Sequence, residues 1–213
     1  MWRPFCHENQ EKLAQNGRQV YLDDSYAPMT REENDMQIKY ENLSIRNARK
    51  EDCPLLEKWW NDGAVMAHAG FPNGLGTSAA KIEKQIANDS DTTQRRLIIE
   101  YDAHPIGEMS FYNRGERTAE IGIKICEFSY QEKGLGRCIL SLFLKELFSM
   151  GFQKIILDTD LENTRAQHVY ELLGFRKVTI HKDSWVNQIG EPRSSVDYEL
   201  TETEFKPVYA LRR

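Results

Sequence analysis

Three features that many chains carry are missing from this one: a long apolar run, a block of like charges and an ordered cysteine pattern. No stretch approaches the roughly 20 apolar residues that a helix needs to cross a bilayer, so no membrane partner is predicted. Basic and acidic residues are interspersed at a formal net charge of −5. That balance argues against nucleic acid as the main partner and weakly favours a cationic one.

The four cysteines, Cys6, Cys53, Cys126 and Cys138, have neither metal-ligand spacing nor the spacing of a disulfide framework. No metal site is therefore predicted, and reduced thiols in a cytoplasmic protein are the simplest interpretation. Residues 1–17 lack the apolar centre of a signal peptide and are too acidic and mixed for a transit peptide.

The second half of the chain contains a strand, a glycine turn, a helix, a second strand and a second helix. Isoleucines alternate with small or polar residues at 121–125, which predicts a strand with one buried face. The turn at residues 131–137, QEKGLGR, leads into a helix with an apolar stripe. Residues 154–157 read as the next strand, and Asn163 opens the next helix. This order presents backbone N–H groups and a helix dipole to an anion.

These motifs resemble the GNAT acetyltransferase superfamily. The matching motifs are Gln-x-x-Gly-x-Gly at residues 131–136, Asn163 three residues before Ala166, and Tyr170-Glu171 before Gly174-Phe175. A glycine turn before a helix is common, but three motifs in the correct order make a specific signal. The resemblance covers roughly residues 43–202. It implies an acetyl-coenzyme A-dependent N-acetyltransferase with an α/β fold, in which helices flank a mixed, mostly antiparallel sheet.

The acetyltransferase domain is predicted to span residues 41–204, between an N-terminal extension at 1–40 and a C-terminal tail at 205–213. Extensions of this kind cover a sheet edge, pack on a partner subunit or form a frayed tail, so a homodimer is left open. Within the domain, strands are predicted at 42–48, 96–101 and 106–112, a helix from residue 51, a loop at 61–76, and a closing hairpin of strands at 177–181 and 195–200.

By the resemblance, the donor, acetyl-coenzyme A, binds at the glycine turn. Gly134 and Gly136 would let the backbone approach the pyrophosphate closely. Ile125 and Cys126 are expected nearest the thioester, where an amide would stabilise the oxyanion; Cys126 is alternatively a small core residue. The predicted donor contacts are Ile125, Cys126, Gln131, Glu132, Lys133, Gly134, Leu135, Gly136, Arg137, Asn163, Ala166 and Tyr170.

Two proton transfers require side chains. Tyr170 matches the tyrosine that protonates the departing thiolate in many family members, and its alternative role is a packed helix tyrosine. Glu120 matches a glutamate that several branches carry and is the predicted general base, unless it is only a surface charge at a strand end. Asp158 is its rival, because the aminoglycoside-modifying branch has an aspartate there. Asp158 would otherwise bind a cationic acceptor.

The acceptor side is predicted from residues 55–71, LLEKWWNDGAVMAHAGF, which loosely resemble the same part of aminoglycoside 6′-N-acetyltransferases. Adjacent tryptophans cannot share a helix face, so one of Trp59 and Trp60 is expected in the core and the other at a pocket or an interface. The predicted acceptor contacts are Trp59, Trp60, His68, Phe71, Asp158 and Trp185.

Three functions follow from this pattern. The first is acetylation of a primary amine on a small molecule that is aminoglycoside- or polyamine-like. The alternative is acetylation of a protein N-terminus or lysine, as in the ribosomal-protein-modifying branch. A non-catalytic acetyl-coenzyme A-binding module is disfavoured, because Glu120, Asn163 and Tyr170 are all present. An enclosed acidic and aromatic cavity would favour the first function, and an open peptide groove the second.

Overall fold

A computed structural model describes residues 36–209, in which eight strands form one sheet of order β1-β2-β3-β4-β5-β6-β8-β7. The strands are β1 Gln37–Tyr40, β2 Leu43–Asn47, β3 Gln94–Tyr101, β4 His104–Asn113, β5 Thr118–Ile125, β6 Lys154–Asp160, β7 Arg176–Val186 and β8 Pro192–Thr201. Strands β5 and β6 pair in parallel, and the other neighbouring strands pair antiparallel. The predicted fold class is therefore confirmed.

Within residues 36–209, five α-helices flank this sheet. They are α1 Cys53–Asn61, α2 Gly63–Met66, α3 Ala79–Ile86, α4 Leu135–Ser149 and α5 Thr164–Leu172. Helix α1 has Pro54 in its first turn, where a missing N–H leaves no hydrogen bond unmade. None of the helices in this range is long and apolar enough to cross a membrane.

The larger core lies between one face of the sheet and helices α4 and α5. The alternation in β5 places Ile121 on this face, beside Leu157 of β6 and Val196 of β8. Helix α4 buries its apolar stripe there, and the ring centroids of Phe111 and Phe143 lie 6.4 Å apart. Each buried side chain of this size contributes about 1.5–3 kcal/mol, so the α4 stripe holds the glycine turn at its N-terminus in place.

A smaller core on the opposite face contains α1 and α3. Trp59 and Trp60 are both buried in it, at 1% and 0% exposure. The Trp59 indole donates to Glu127 Oε1 and the Trp60 indole to Glu108 Oε1, each at 2.8 Å. The prediction that one of these tryptophans faces a pocket or an interface is wrong. The sheet covers one side of α1 and α3 covers another, so adjacent positions on α1 are both enclosed.

Two segments depart from the sequence-based expectation. The predicted loop at 61–76 contains α2, which Asp62 caps by accepting a hydrogen bond from the Ala64 N–H at 2.8 Å. The closing hairpin is longer than predicted, so Trp185 lies within β7 instead of a loop. The pairing of β7 with β8 shifts register twice, and these irregularities let the polar segment before Trp185 remain part of the strand.

The two ends of the described chain pack against this domain. Strand β1 pairs with β2 at the edge of the sheet. After β8, the Val208 N–H donates to Ser141 Oγ of α4 at 2.8 Å, and the Phe205 ring contacts Phe148. The domain boundaries at residues 41 and 204 stay predictions. Residues 1–35, which include Cys6, and residues 210–213 lie outside the described residues.

Candidate active site

A cleft of about 780 Å³ opens where β5 and β6 separate. Their parallel pairing runs only from Thr118 opposite Lys154 to Glu120 opposite Ile156. Beyond those pairs the two strands diverge, and residues 121–125 of β5 and 158–160 of β6 line the cleft. The gap is therefore bordered by two strand edges, an arrangement that suits an extended ligand bound by strand addition.

The glycine turn forms one end of the cleft, and its two glycines serve different purposes. Gly134 has a φ of 77°, in the left-handed region that favours glycine, and it is the N-cap of α4. Among the described residues, a Cβ added to Gly136 would meet only Ile125 Cδ1, at 3.9 Å. The protein thus leaves open space beside the first turn of α4, where N–H groups without intrahelical partners can bind an anion. This cradle fits the pyrophosphate of acetyl-coenzyme A.

Side chains fasten the turn to its neighbours. Gln131 Nε2 donates to the Ile125 carbonyl at 2.8 Å, and Gln131 Oε1 accepts from the Arg165 guanidinium at 2.9 Å. Asn163 caps α5, where its carboxamide oxygen accepts a hydrogen bond from the Ala166 N–H at 3.3 Å. Gln131 and Asn163 therefore hold the end of β5, the turn and α5 in fixed relative positions.

Tyr170 lines the cleft from α5 and is only 7% exposed. Its ring lies edge-on to the rings of Phe175 and Tyr198, with centroids 5.7 Å away in both cases. Burial raises the pKa of the Tyr170 phenol to about 12. The phenol is therefore protonated at neutral pH and can donate a hydrogen bond to an anion in the cleft.

Carboxylates line the cleft on the face of the sheet opposite α4. Glu120 and Asp158 share this face, because Glu120 pairs with Ile156, two residues before Asp158. Arg114 Nε donates to Glu120 Oε2 at 2.6 Å. Asp158 lies directly opposite Asp197 of β8. The Asp197 carboxylate also lies 2.7 Å from His181 Nε2, so this part of the face contains carboxylates together with basic partners.

Aromatic side chains also lie on the side of the cleft where the acceptor contacts are predicted. Trp185 of β7 reaches the segment after α2, where a Cβ on Gly70 would lie 2.4 Å from its ring. The buried Trp185 Nε1 has no hydrogen-bond partner among residues 36–209. His68 and Tyr112 line the same side of the cleft. The close approach of Trp185 to Gly70 thus joins the β7–β8 hairpin to the α2 region across the acceptor side.

Most of the predicted site residues lie together around this one cleft. Those that line it are His68, Glu120, Ile125, Gln131, Glu132, Gly134, Leu135, Gly136, Arg137, Asp158, Asn163, Ala166, Tyr170 and Trp185. Those that do not are Trp59, Trp60, Phe71, Cys126 and Lys133. Phe71 packs against the smaller core, and Lys133 Nζ lies 5.5 Å from the centroid of the Tyr130 ring.

The structure also corrects the role expected for Cys126. This residue is 3% exposed, and burial raises the pKa of its thiol well above the ordinary value. Its backbone N–H donates to the Ile106 carbonyl at 2.8 Å, so that amide is already engaged within the protein. Cys126 therefore belongs to the smaller core, which is the alternative that the sequence also allowed.

Sequence analysis missed Lys124, which lines the cleft. Lys124 Nζ lies 3.0 Å from Glu108 Oε1, and that carboxylate also accepts from the Trp60 indole. Strand parity was the available signal, because Lys124 lies four residues after Glu120 and so faces the same side of β5. The structure shows no group of three or more His, Cys, Asp or Glu side chains arranged to hold a metal within the range it describes.

Comparisons with known proteins agree with this geometry. Residues 42–176 match the family described as Acetyltransferase (GNAT) domain. The chain is 35% identical over 137 residues to spermidine N(1)-acetyltransferase of Escherichia coli (strain K12), a match that covers 63% of this chain and 73% of that protein.

Solved structures share the fold. Spermidine N-acetyltransferase from Vibrio cholerae, in complex with CoA and spermine, superposes with a TM-score of 0.68 at 20% identity, covering 78% of this chain and 98% of that one. RimL, a ribosomal alpha-N-protein acetyltransferase in complex with coenzyme A, superposes with a TM-score of 0.69 at 16% identity, again covering 78% and 98%. At these identities the likeness concerns the fold alone.

Proposed function

This chain belongs to the GNAT acetyltransferase family and is an acetyl-coenzyme A-dependent N-acetyltransferase; from that premise we propose that its acceptor is a small cationic molecule with a primary amine. The proposed acceptor is polyamine-like or aminoglycoside-like. The observation that carries the proposal is the acidic and aromatic lining of one side of the cleft. The identity to a spermidine acetyltransferase supports the same acceptor class.

The proposed acceptor contacts have the chemistry that ammonium groups need. Asp158 and Glu120 supply charged hydrogen-bond acceptors on one sheet face. Trp185 offers an aromatic ring, which attracts a cation by about 0.5–2 kcal/mol, whereas the guanidinium carbon of Arg114 already lies 5.2 Å from the centroid of the Tyr112 ring. His68 completes this side as a hydrogen-bonding group. A neutral or anionic acceptor would gain little from such a lining.

On the donor side, the amides of the glycine turn and the edge of β5 are the proposed contacts. The open space at Gly136 and the α4 N-terminus suit a pyrophosphate. The diverging edges of β5 and β6 suit the amide groups of a pantetheine arm. Arg137 lines this end of the cleft and would add positive charge beside the phosphates.

For the reaction itself, Tyr170 is the proposed acid and Glu120 the proposed base. The acceptor nitrogen forms a bond to the thioester carbonyl carbon, and the carbon–sulfur bond then breaks. The departing thiolate takes a proton from the Tyr170 phenol, and the phenolate regains a proton from solvent before the next turnover. The proton that the amine loses goes to Glu120, and Asp158 is the competing acceptor for it.

An acceptor screen tests this proposal, with release of the coenzyme A thiol as readout. The three probes are spermidine, an aminoglycoside, and a peptide with a free N-terminus. We expect spermidine or the aminoglycoside to give the highest kcat/KM. Turnover of the peptide alone would instead support the alternative function, acetylation of a protein N-terminus or lysine. The similar fold of RimL is compatible with that alternative. No turnover with any amine would contradict the proposed acceptor class.

A further inference from the structure

Lys124 places a positive charge on the acceptor side of the cleft. Alternation along β5 puts Glu120, Gly122 and Lys124 on the same face, and all three line the cleft. At about 3.3 Å per residue, Lys124 lies roughly 13 Å along the strand from Glu120. The acceptor side therefore has a cation at one end of this row and carboxylates at the other.

A buried carboxylate holds Lys124 in this position. Glu108 has a side chain that is 4% exposed, and its Oε1 accepts from Lys124 Nζ at 3.0 Å and from the Trp60 indole at 2.8 Å. The Lys124 side chain is 15% exposed and Lys124 lines the cleft, whereas Glu108 does not. The positive member of the pair is therefore the one nearer the cleft. Apolar replacements of buried ion pairs are often equally stable, so the presence of this pair is not by itself evidence of a role in stability.

We propose that Lys124 is a specificity-determining residue, whose charge selects the amine that reacts, between Lys124 and Glu120, and directs the other ammonium groups of the acceptor toward Asp158. This inference rests on the proposed function, since it requires a cationic amine acceptor. A positive charge disfavours the protonated form of a nearby amine. The amine closest to Lys124 therefore gives up its proton most easily, and an amine nucleophile must lose that proton to form the amide.

The size of the effect follows from Coulomb's law. At an effective dielectric constant of about 20, a charge about 6 Å from the amine, partly cancelled by a carboxylate about 3 Å further away, lowers the pKa of the amine by roughly 0.5–1 unit. Titratable and charged groups on the elements packed around Lys124 would contribute their own fields. They are Glu108 and Tyr112 on β4, Arg114 after β4, Glu120 on β5, Cys126 and Glu127 after β5, Asp158 on β6, and His68 after α2.

Three variants test the inference through the pH dependence of kcat, which reports groups titrating in the substrate complex. The double variant Lys124→Met with Glu108→Gln removes both charges and leaves Trp60 a hydrogen-bond acceptor. Glu108→Gln alone leaves the lysine charge without its counter-charge. Lys124→Arg retains the charge. Each is assayed by coenzyme A release at saturating acetyl-coenzyme A and spermidine.

We expect the acidic limb of the profile to move to higher pH by roughly 0.5–1 unit in the double variant and to lower pH in Glu108→Gln. Lys124→Arg should leave the limb in place. In the unmodified protein, the limb should also move to lower pH with a less basic acceptor amine. A purely structural role for the pair would not shift the limb in opposite directions.

Several results would overturn the inference. One is an acidic limb that stays at the same pH in the double variant. Another is a shift of the limb in the same direction in the double variant and in Glu108→Gln. A third is a limb whose pH does not change with the basicity of the acceptor amine. If the double variant does not fold, Glu108→Gln alone tests the inference. An acidic limb at the same pH in that variant would show that the Lys124 charge does not affect the reacting amine. An unmodified protein that acetylates no amine would instead reject the proposed function, and this inference with it.

Discussion

The donor side and the acceptor side of the cleft are assembled in different ways. The donor side comes from one continuous part of the chain, in which β5, the glycine turn, α4, β6 and α5 follow each other. The acceptor side adds β4, the segment after α2 and the β7–β8 hairpin, whose Trp185 meets Gly70, to the face of β5 and β6 that carries Glu120 and Asp158. Local sequence motifs therefore describe the donor side well, whereas the acceptor side depends on contacts between distant segments.

The two sides also differ in charge. The donor side presents backbone N–H groups at the start of α4, which suit an anion. The acceptor side presents Glu120 and Asp158, which suit a cation, with Lys124 as the exception. Variants that alter one side should therefore affect one substrate and spare the other, and this separation can be measured.

The largest effect is expected at Tyr170, which lies where the two sides meet. Tyr170→Phe removes the proposed acid and nearly preserves the packing against Phe175 and Tyr198. We expect kcat to fall on the order of 10²–10⁴-fold, with little change in the Michaelis constant for acetyl-coenzyme A. Steady-state kinetics and single-turnover measurements would check this.

The raised pKa of Tyr170 adds a second test of the same residue. A group with a folded-state pKa of about 12 keeps its proton below that pH, so kcat should not decline through loss of this proton up to about pH 10. If Tyr170→Phe keeps most of its kcat while chemistry limits the rate, Tyr170 is a packing residue only.

Two tryptophan variants allow the smaller core and the acceptor side to be tested separately. Trp59→Ala removes a fully buried ring and the hydrogen bond to Glu127, so we expect the free energy of unfolding to fall by about 3–5 kcal/mol. Trp185→Ala should cause a smaller loss of stability and raise the acceptor Michaelis constant roughly tenfold through a lost cation–π contact. Urea titration measures the free energy of unfolding, and steady-state kinetics measures the acceptor Michaelis constant. A similar rise of that constant in both variants would contradict the prediction.

The carboxylates Glu120 and Asp158 are predicted to differ in role on the acceptor side. Glu120→Gln should lower kcat by about 10²-fold, because it removes a proton acceptor and nearly keeps its shape. Asp158→Asn should mainly raise the acceptor Michaelis constant, since an anchoring carboxylate binds ground and transition states alike. Exchange of the two phenotypes would make Asp158 the base, and an unchanged kcat in both would remove the general base from the mechanism.

The smallest expected effect concerns the donor side at Gly136. Gly136→Asp adds a Cβ and a negative charge to the open space beside α4, so acetyl-coenzyme A affinity should fall about tenfold, or about 1.4 kcal/mol. Gly136→Ala is the matched control for the fold, because the protein has room for its Cβ and alanine favours the helix. Calorimetric binding that is unchanged in a folded Gly136→Asp variant would place the phosphates elsewhere.

Local sequence patterns predicted some elements of the protein correctly and misplaced others, for identifiable reasons. The isoleucine alternation in β5 and the apolar stripe of α4 each have their own period, so both elements were predicted from the sequence. The tryptophan pair was misplaced, because amphipathic periodicity assumes that one helix face meets solvent. Helix α1 lies between the sheet and α3, so that assumption does not hold.

By itself the sequence determined the features that a few neighbouring residues specify. These are the left-handed turn at Gly134, the capping of α5 by Asn163, and the face of β5 that turns inward. Only the tertiary structure decided three other features. They are the point at which β5 and β6 stop pairing, the contact of Trp185 with Gly70, and the ion pair between Glu108 and Lys124 beside the cleft. The physical reason is the range of the interactions involved. Backbone conformation and capping act within one turn, whereas the cleft depends on packing between residues far apart in the chain.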